Sequence, residues 1–102
     1  MNFWNKLFGG APAINYAALV LEGALVVDVR TPGEYNSGHI KGSVNIPLDR
    51  LQMQIPELKK KQKTIITCCR SGNRSGMAKS MLAAAGITCY NGGAWDALNK
   101  KL

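Results

Sequence analysis

The residues best suited to chemistry in this 102-residue chain lie in one short segment, Cys69-Arg-Ser-Gly-Asn-Arg-Ser75. The segment follows an apolar run and precedes a stretch with helical spacing, so we expect a loop that leaves a strand and enters a helix. Gly72 favours a tight turn whose backbone N–H groups point toward one centre, and the helix adds its positive N-terminal end. A thiol there should have a pKa below about 8.5 and be nucleophilic at neutral pH.

The remaining cysteines and the one histidine are interpreted differently. Cys68 precedes Cys69 on the strand, so its side chain should leave the opposite face of the sheet. We interpret Cys68 and Cys89 as core residues, although either could serve as a resolving thiol under oxidation. The spacing of the three cysteines and His39 offers no zinc site. No separate general base is needed if backbone amides hold the sulfur as an anion.

The net charge of +7 is carried by one part of the chain, because the window between Leu58 and Trp95 contains no acidic residue. A field of one sign near the thiol should concentrate small anions. A solvated basic face is the alternative for Lys59–Lys63. Nucleic-acid binding is not favoured, because the basic stretch lacks interleaved aromatic residues and matches no known binding signature. The basic residues of this window are Lys59, Lys60, Lys61, Lys63, Arg70, Arg74 and Lys79.

Strands and helices alternate along the chain, which favours an α/β fold with an open, mostly parallel sheet covered by helices on both faces. In such sheets ligands bind at the carboxyl ends of the strands. The predicted strands are Ala24–Asp28, Ser43–Ile46, Thr64–Cys68 and Ile87–Tyr90, and Gly92-Gly93 is predicted to form a turn.

Helix boundaries are marked by capping residues. Asn15 should cap a helix over Tyr16–Leu21, and Thr31 with Glu34 should form a capping box for a helix that stops near Gly38. A helix from Leu48 should be broken or kinked at Pro56. A helix over Arg74–Ala85 and a terminal helix complete the set, with inward faces predicted at Met77, Ala78, Met81, Leu82, Ala85, Trp95 and Leu98.

Residues 1–12 are predicted to be an apolar segment and linker, separate from a domain over residues 13–102. The segment has no apolar core of the kind found in a secretory signal, and three cysteines without secretory context indicate a reducing compartment, so we expect a cytoplasmic protein. Phe3, Trp4, Leu7 and Phe8 could form a small apolar face. Packing on the domain is the favoured interpretation, with membrane-surface contact by residues 3–8 or dimerisation as alternatives.

Three motifs in order resemble the rhodanese domain: Val27–Tyr35, Gly38–Pro47 and Cys69–Ser75. The resemblance runs from about Ile14 to Asn99, and the size is similar to that of single-domain thiosulfate sulfurtransferases, including the phage-shock type. It implies an open parallel sheet of about five strands and no cofactor. It also implies a ping-pong reaction, in which a thiolate takes sulfur from a small anionic donor such as thiosulfate and passes it to cyanide, a thiol or a protein.

The resemblance also assigns roles to residues. Cys69 would carry the sulfur as a persulfide, and Arg70 would contact the sulfonate-like end of the donor. The amides of Ser71, Gly72, Asn73, Arg74 and Ser75 would surround the sulfur. Arg74 could face the pocket, or it could pair with Asp28 or Glu34. The family pattern places Asp28, Arg30, Glu34 and His39 in a structural network, rather than giving His39 a place in a Cys–His pair.

Two other functions remain open at this point. A cysteine-dependent phosphatase or arsenate reductase uses a related loop, but Cys69 to Arg74 spans six residues, the length found in rhodaneses, whereas the phosphatase relatives have seven. A non-enzymatic carrier would load sulfur on Cys69 and pass it between proteins, with the basic segment as a docking face for an acidic partner.

Overall fold

Short apolar runs build a parallel sheet in this protein. The computed structural model describes residues 13–102, and within them four strands form one sheet in which all pairs are parallel. The resemblance predicted about five strands. The segment before the first strand forms a helix, because Asn15 caps it, and supplies no further strand. The strands are β1 (Leu25–Asp28), β2 (Val44–Asn45), β3 (Ile65–Cys69) and β4 (Cys89–Ala94). They are hydrogen-bonded in the order β2-β1-β3-β4.

The first two helices begin at the predicted caps. The Asn15 side chain accepts a hydrogen bond from the Ala18 amide at 3.0 Å, and Thr31 and Glu34 form the reciprocal capping box. Both arrangements satisfy backbone N–H groups that have no partner inside the helix. The helices are α1 (Tyr16–Leu21), α2 (Pro32–Asn36), α3 (Leu48–Lys60), α4 (Asn73–Ala84) and α5 (Trp95–Asn99). None of them is long and apolar enough to cross a bilayer.

The core consists of two clusters, one on each face of the sheet, as the alternation of strand side chains requires. On one face, α3 and α4 cover the sheet with Leu51, Ile55, Leu58, Ala78 and Leu82. On the other, α1 and α5 contribute Tyr16, Leu19, Trp95 and Leu98. The predicted coverage by helices on both faces is therefore confirmed.

Pro56 was predicted to break or kink the third helix, and a break does not occur, since α3 continues from Leu48 to Lys60. Proline removes one intrahelical hydrogen bond, which here would have gone to the carbonyl of Gln52. Pro56 and Gln52 are both exposed, so water can serve that carbonyl. The opposite face of the helix buries three residues of the core, and this burial favours continuation of the helix.

Two further predictions differ from the structure. Gly92 and Gly93 lie within β4 and do not form a separate turn, because the sheet and α5 approach Gly92 closely. A Cβ at Gly92 would lie 2.8 Å from Leu98 Cδ2 and 2.9 Å from the carbonyl oxygen of Thr67. Met77 is 59% exposed and does not line the inner face of α4. Met77 directly precedes the buried Ala78 in the helix, so the two side chains point about 100° apart around the helix axis.

The sheet separates the basic residues into two groups. Lys59 and Lys60 end α3, and Lys61 and Lys63 follow before β3 begins, so this group lies at the amino edge of the sheet. Cys69 ends the same strand at the opposite edge, about 15 Å away along β3. That distance exceeds the Debye length of about 8 Å at physiological salt. At physiological salt most of the field of these lysines at the thiol is therefore screened.

Candidate functional site

The loop between β3 and α4 encloses the sulfur of Cys69. The Gly72 amide donates a hydrogen bond to Cys69 Sγ at 3.0 Å, and the Ser75 amide donates at 3.4 Å. The Ser75 hydroxyl lies 3.3 Å from the same sulfur. Cys69 is 1% exposed, so a reactant must bring its own atom into the loop. The loop is thus a small cradle of donors around one sulfur atom.

These donors set the acidity of the Cys69 thiol. Burial by itself raises the pKa of Cys69, because it disfavours the charged form. The Ser75 hydroxyl and the amides of Ser75, Gly72 and Ser71 act in the opposite direction and outweigh burial. The pKa of Cys69 is therefore lowered, and a larger fraction of the thiol is ionised near neutral pH than in a free cysteine.

The shape of the loop depends on glycine and on buried hydroxyls. Gly72 has a φ of +103°, a conformation that residues with a Cβ rarely adopt, and it stands directly before the first residue of α4. Ser75 is fully buried, and its carbonyl accepts a hydrogen bond from the Thr67 hydroxyl at 2.9 Å. The start of α4 is thereby tied to the middle of β3.

Asn91 on β4 completes the loop, and the sequence analysis did not identify it. Its Oδ1 accepts hydrogen bonds from the Ser75 hydroxyl at 2.6 Å and from the Gly93 amide at 2.9 Å. Its Nδ2 donates to the Gly72 carbonyl at 3.2 Å. The only sequence signal was an amide residue between the predicted strand Ile87–Tyr90 and the glycine pair.

A buried ion pair supports the site from the neighbouring strand. Arg30 is 4% exposed and Asp28 is fully buried, and Arg30 Nη2 donates to Asp28 Oδ2 at 2.7 Å. The guanidinium also donates to the carbonyls of Glu34 and Gly38 and lies 4.7 Å from the ring centroid of Trp95. Hydrogen bonding to Asp28 raises the pKa of Arg30 further. The pair therefore holds the segment that carries Glu34 against the end of β1.

Arg74 forms an ion pair with Glu34, which decides between the alternatives left open by the sequence. Its two terminal nitrogens donate to the two carboxylate oxygens at 2.6 and 2.9 Å. This bidentate pair joins the loop to α2. The hydrogen bonds from Arg74, and then those from Thr31, lower the pKa of Glu34 to about 2.

The ion pair predicts a pH dependence of stability. Because the pKa of Glu34 falls on folding, its contribution is complete above about pH 4.5 and is lost as the pH falls toward 2. Glu34→Gln should lower the free energy of unfolding by about 1 kcal/mol at pH 7. The difference from the wild type should shrink between pH 4.5 and 2 in urea titrations. A difference independent of pH would show that the charge of Glu34 does not contribute.

The remaining predicted site residues are exposed, in contrast to the buried Cys69 and Ser75. Arg70, Ser71 and Asn73 are exposed residues of the loop. His39 is exposed, its ring stacks on Tyr35 at 3.7 Å between centroids, and its Nδ1 lies 2.8 Å from the Tyr35 carbonyl. The structure thus places His39 beside α2 and gives it contacts of a structural kind.

The two remaining thiols are separated from Cys69. Cys68 belongs to the core cluster on the opposite face of the sheet, and burial raises its pKa to about 12. Cys89 pairs with Ile65 in the sheet register, four residues before Cys69, and burial raises its pKa as well. Neither thiol is placed to form a disulfide with Cys69, which corrects the suggestion that one of them could act as a resolving thiol. Within residues 13–102, no cluster of three or more metal-ligating side chains occurs.

The fold and the cradle define an α/β domain with one activated cysteine at the carboxyl edge of a parallel sheet. The family model "Rhodanese-like domain" matches residues 14–99. The chain therefore belongs to the rhodanese family.

Curated relatives share this segment. The chain is 36% identical over 66 residues to the thiosulfate sulfurtransferase PspE of Escherichia coli strain K12, an alignment covering 61% of each protein. It is 37% identical over 62 residues to the putative sulfur carrier protein YrkF of Bacillus subtilis, covering 61% of this chain and 33% of that protein. The chain thus covers less than two thirds of the length of both proteins.

Solved structures show the same fold. A rhodanese with anions from E. coli superposes with a TM-score of 0.67 at 30% identity, covering 72% of this chain and 89% of that chain. The Bacillus anthracis protein CoADR-RHD, in its reduced form, gives a TM-score of 0.71 at 35% identity and covers 83% of this chain and 15% of that chain. Membership of the family thus agrees with the sheet, the helices and the loop described above.

Proposed function

We propose that the protein is a sulfurtransferase that moves a sulfane sulfur from thiosulfate, or a similar anionic donor, to a thiophilic acceptor through a persulfide on Cys69. The observation that carries the proposal is the pair of amide hydrogen bonds to Cys69 Sγ, from Gly72 at 3.0 Å and Ser75 at 3.4 Å. Fixed amide donors stabilise a negative sulfur without a general base.

In the first half-reaction, the Cys69 thiolate attacks the outer sulfur of thiosulfate. A sulfur–sulfur bond forms to Sγ, and the bond between the two thiosulfate sulfurs breaks. Sulfite leaves with the bonding electron pair, and Cys69–S–S⁻ remains. The negative charge moves to the outer sulfur, at the loop opening beside the exposed Ser71 and Asn73. Similarity to a thiosulfate sulfurtransferase supports this donor.

In the second half-reaction, an acceptor attacks the outer sulfur of the persulfide. Cyanide forms a carbon–sulfur bond and leaves as thiocyanate, while the electrons of the broken sulfur–sulfur bond return to Cys69 as a thiolate. A thiol or protein thiolate forms a new persulfide in the same way. Cys69 thus carries an anionic sulfur in both resting states, on Sγ in the free protein and on the outer sulfur in the loaded protein, which suits a ping-pong cycle.

Arg70 is the proposed contact for the anionic end of the donor. Within the loop of residues 69–75, Arg74 is engaged by Glu34, so Arg70 is the cation left to bind a sulfonate group. Its exposure beside the opening leaves its side chain accessible to a small anion.

Mass spectrometry after incubation with thiosulfate tests the proposed function. We expect the reduced protein to gain one sulfur, about 32 Da, on the peptide that contains Cys69, and to lose it on addition of cyanide with release of thiocyanate. The expected stoichiometry is one sulfur per chain, because the other two thiols are buried with raised pKa values. Sulfur found on Cys68 or Cys89, or on no cysteine, would refute the proposal.

The two groups of basic residues should differ in their effect on the donor. Arg70→Ala should raise the KM for thiosulfate by about tenfold, because a charge-assisted contact contributes about 1.5 kcal/mol or more. The triple variant Lys59→Ala, Lys61→Ala and Lys63→Ala, the matched control, should change the KM by less than about twofold. Steady-state kinetics at several ionic strengths measures both. An equal effect of the two variants would contradict the assignment of Arg70.

A persulfide carrier is the second candidate function, and the similarity to a putative sulfur carrier protein of B. subtilis favours it. A carrier would load Cys69 with one sulfur but turn over thiosulfate and cyanide slowly. Comparison of the loading rate with the steady-state turnover rate separates the two functions. A turnover rate close to the rate of loading supports the enzyme, and loading without turnover supports the carrier.

Phosphatase action receives less support from the geometry. Both terminal nitrogens of Arg74 donate to Glu34, so the arginine that would hold a phosphate group at the end of the loop is already paired. Turnover of p-nitrophenyl phosphate at a rate comparable to that of thiosulfate would contradict this conclusion.

A reducing compartment such as the cytoplasm suits the proposed chemistry, because only a reduced Cys69 can accept a sulfur. Fractionation of cells that produce the protein tests this location. Recovery in a secreted fraction would contradict it.

A further inference from the structure

Asn91 occupies a position from which it can control the Ser75 hydroxyl. The hydroxyl oxygen has three neighbours: Asn91 Oδ1 at 2.6 Å, the Gly72 carbonyl at 3.2 Å and Cys69 Sγ at 3.3 Å. A serine hydroxyl has one proton to donate, so it can satisfy only one of these acceptors at a time.

The orientation of the Asn91 carboxamide is fixed by the backbone. The Gly93 N–H requires an oxygen, which is Oδ1 at 2.9 Å, and the Gly72 carbonyl requires a donor, which is Nδ2 at 3.2 Å. The group is also closely packed, since a Cβ added at Gly76 would lie 3.2 Å from Nδ2. Oδ1 therefore faces Ser75 as an acceptor, and the shortest contact of the hydroxyl is to Asn91.

We propose that Asn91 is a positioning residue that competes with the Cys69 sulfur for the proton of the Ser75 hydroxyl. While the hydroxyl donates to Asn91, Ser75 presents a lone pair to the sulfur, which suits a neutral thiol. When the sulfur is a thiolate, the hydroxyl rotates to donate to it and gives up its bond to Asn91. The proton stays on Ser75 throughout, and only the direction of the O–H bond changes.

The competition matters for both states of the proposed cycle. In the thiolate state the charge is on Sγ, where the hydroxyl can reach it. In the persulfide state the charge lies on the outer sulfur and Sγ is neutral, so the hydroxyl returns to Asn91. Asn91 thus weakens the stabilisation of the free thiolate more than that of the persulfide, and so favours the sulfur-loaded form.

The inference rests on the proposed thiolate chemistry of Cys69. In its test, removal of Asn91 shifts the pH midpoint of Cys69 in the direction opposite to the shift expected if Asn91 only supported the loop. Alkylation of Cys69 by iodoacetamide, followed by peptide mass spectrometry, gives the pH midpoint of the thiol. Asn91→Leu, which keeps the branching at Cγ and removes the acceptor, should lower the midpoint by about 0.5–1 pH unit, a three- to tenfold change in ionisation constant. A variant that only loosened the loop would raise it toward the value of free cysteine.

Two further variants identify the cause. Ser75→Ala should raise the midpoint, and Asn91→Leu combined with Ser75→Ala should match Ser75→Ala alone, because the effect of Asn91 acts through the hydroxyl. Asn36→Leu, an exposed asparagine on α2, is the matched control and should leave the midpoint unchanged.

Each outcome decides the inference. A midpoint that is unchanged or raised in Asn91→Leu overturns it, as does a lowered midpoint that persists without the Ser75 hydroxyl. If Asn91→Leu does not fold, Asn91→Asp replaces it. The added carboxylate is a stronger competing acceptor. Asn91→Asp should therefore raise the midpoint more in the protein that keeps Ser75 than in the protein that carries Ser75→Ala. Failure of sulfur loading in the wild type would refute the proposed function instead, so the two failures are distinguishable.

Discussion

Cys69→Ser is expected to take up no sulfur from thiosulfate and to reduce sulfur transfer by at least about a thousandfold. A serine hydroxyl fits beneath the same amides but does not ionise near neutral pH, and its oxygen cannot form a persulfide. The cradle would remain, with Gly72 and Ser75 still donating toward that position. Loading measured by mass spectrometry and turnover measured as thiocyanate release should fail together.

Cys68→Ala and Cys89→Ala are the matched controls for this experiment. Both thiols are buried and have raised pKa values, so their removal should leave sulfur uptake within about twofold of the wild type. Cys68→Ala should nevertheless destabilise the core, where Cys68 is fully buried. Loss of loading in Cys89→Ala, with loading kept in Cys69→Ser, would show that the sulfur is carried by Cys89 and not by Cys69.

Asp28→Ala is expected to lower the free energy of unfolding by about 3–5 kcal/mol, the largest effect on stability that we expect from a single substitution here. The substitution leaves the Arg30 guanidinium buried without its counter-ion. It also releases the carbonyls of Glu34 and Gly38 from a fixed donor, and with them the segment that holds Arg74. Denaturation in urea should show the loss.

Two variants separate burial from charge in this prediction. Glu57→Ala removes an exposed partner of Lys60 and should cost less than about 1 kcal/mol. Asp28→Leu combined with Arg30→Met removes both charges and should be more stable than Asp28→Ala, because no unpaired charge remains. If Asp28→Ala and Glu57→Ala lower the free energy of unfolding by the same amount, the buried Asp28–Arg30 pair stabilises the protein no more than an exposed pair does.

The order of strands and helices was predictable because local signals and burial agree. The apolar run before Asp28, the Thr31 capping box and the glycine-containing loop after Cys69 each specify one local structure, and all three appear. The opposite orientation of Cys68 and Cys69 followed from the alternation of strand side chains. The cradle at Cys69 was predictable for the same reason, since it is local in the chain.

Features that depend on distant segments were not predictable. Asn91 lies 16 residues after Ser75 and reaches it only because β4 pairs with β3. The sequence grouped Lys59–Lys63 with Arg70 and Arg74, but the strand between them carries the two groups to opposite edges of the sheet. The continuation of α3 through Pro56 was not predictable, because it depends on a solvent-facing position that tolerates the lost hydrogen bond.

The separation of the three thiols determines how the protein responds to peroxide. A sulfenic acid formed on Cys69 can be reversed by condensation with another thiol. Cys68 is held on the far face of the sheet, and Cys89 lies about 13 Å away along the neighbouring strand, so neither is placed to do this. Recovery through a disulfide therefore requires a thiol of glutathione type from outside the molecule. Without one, further peroxide would carry Cys69 to the irreversible sulfinic acid and end its use in sulfur transfer.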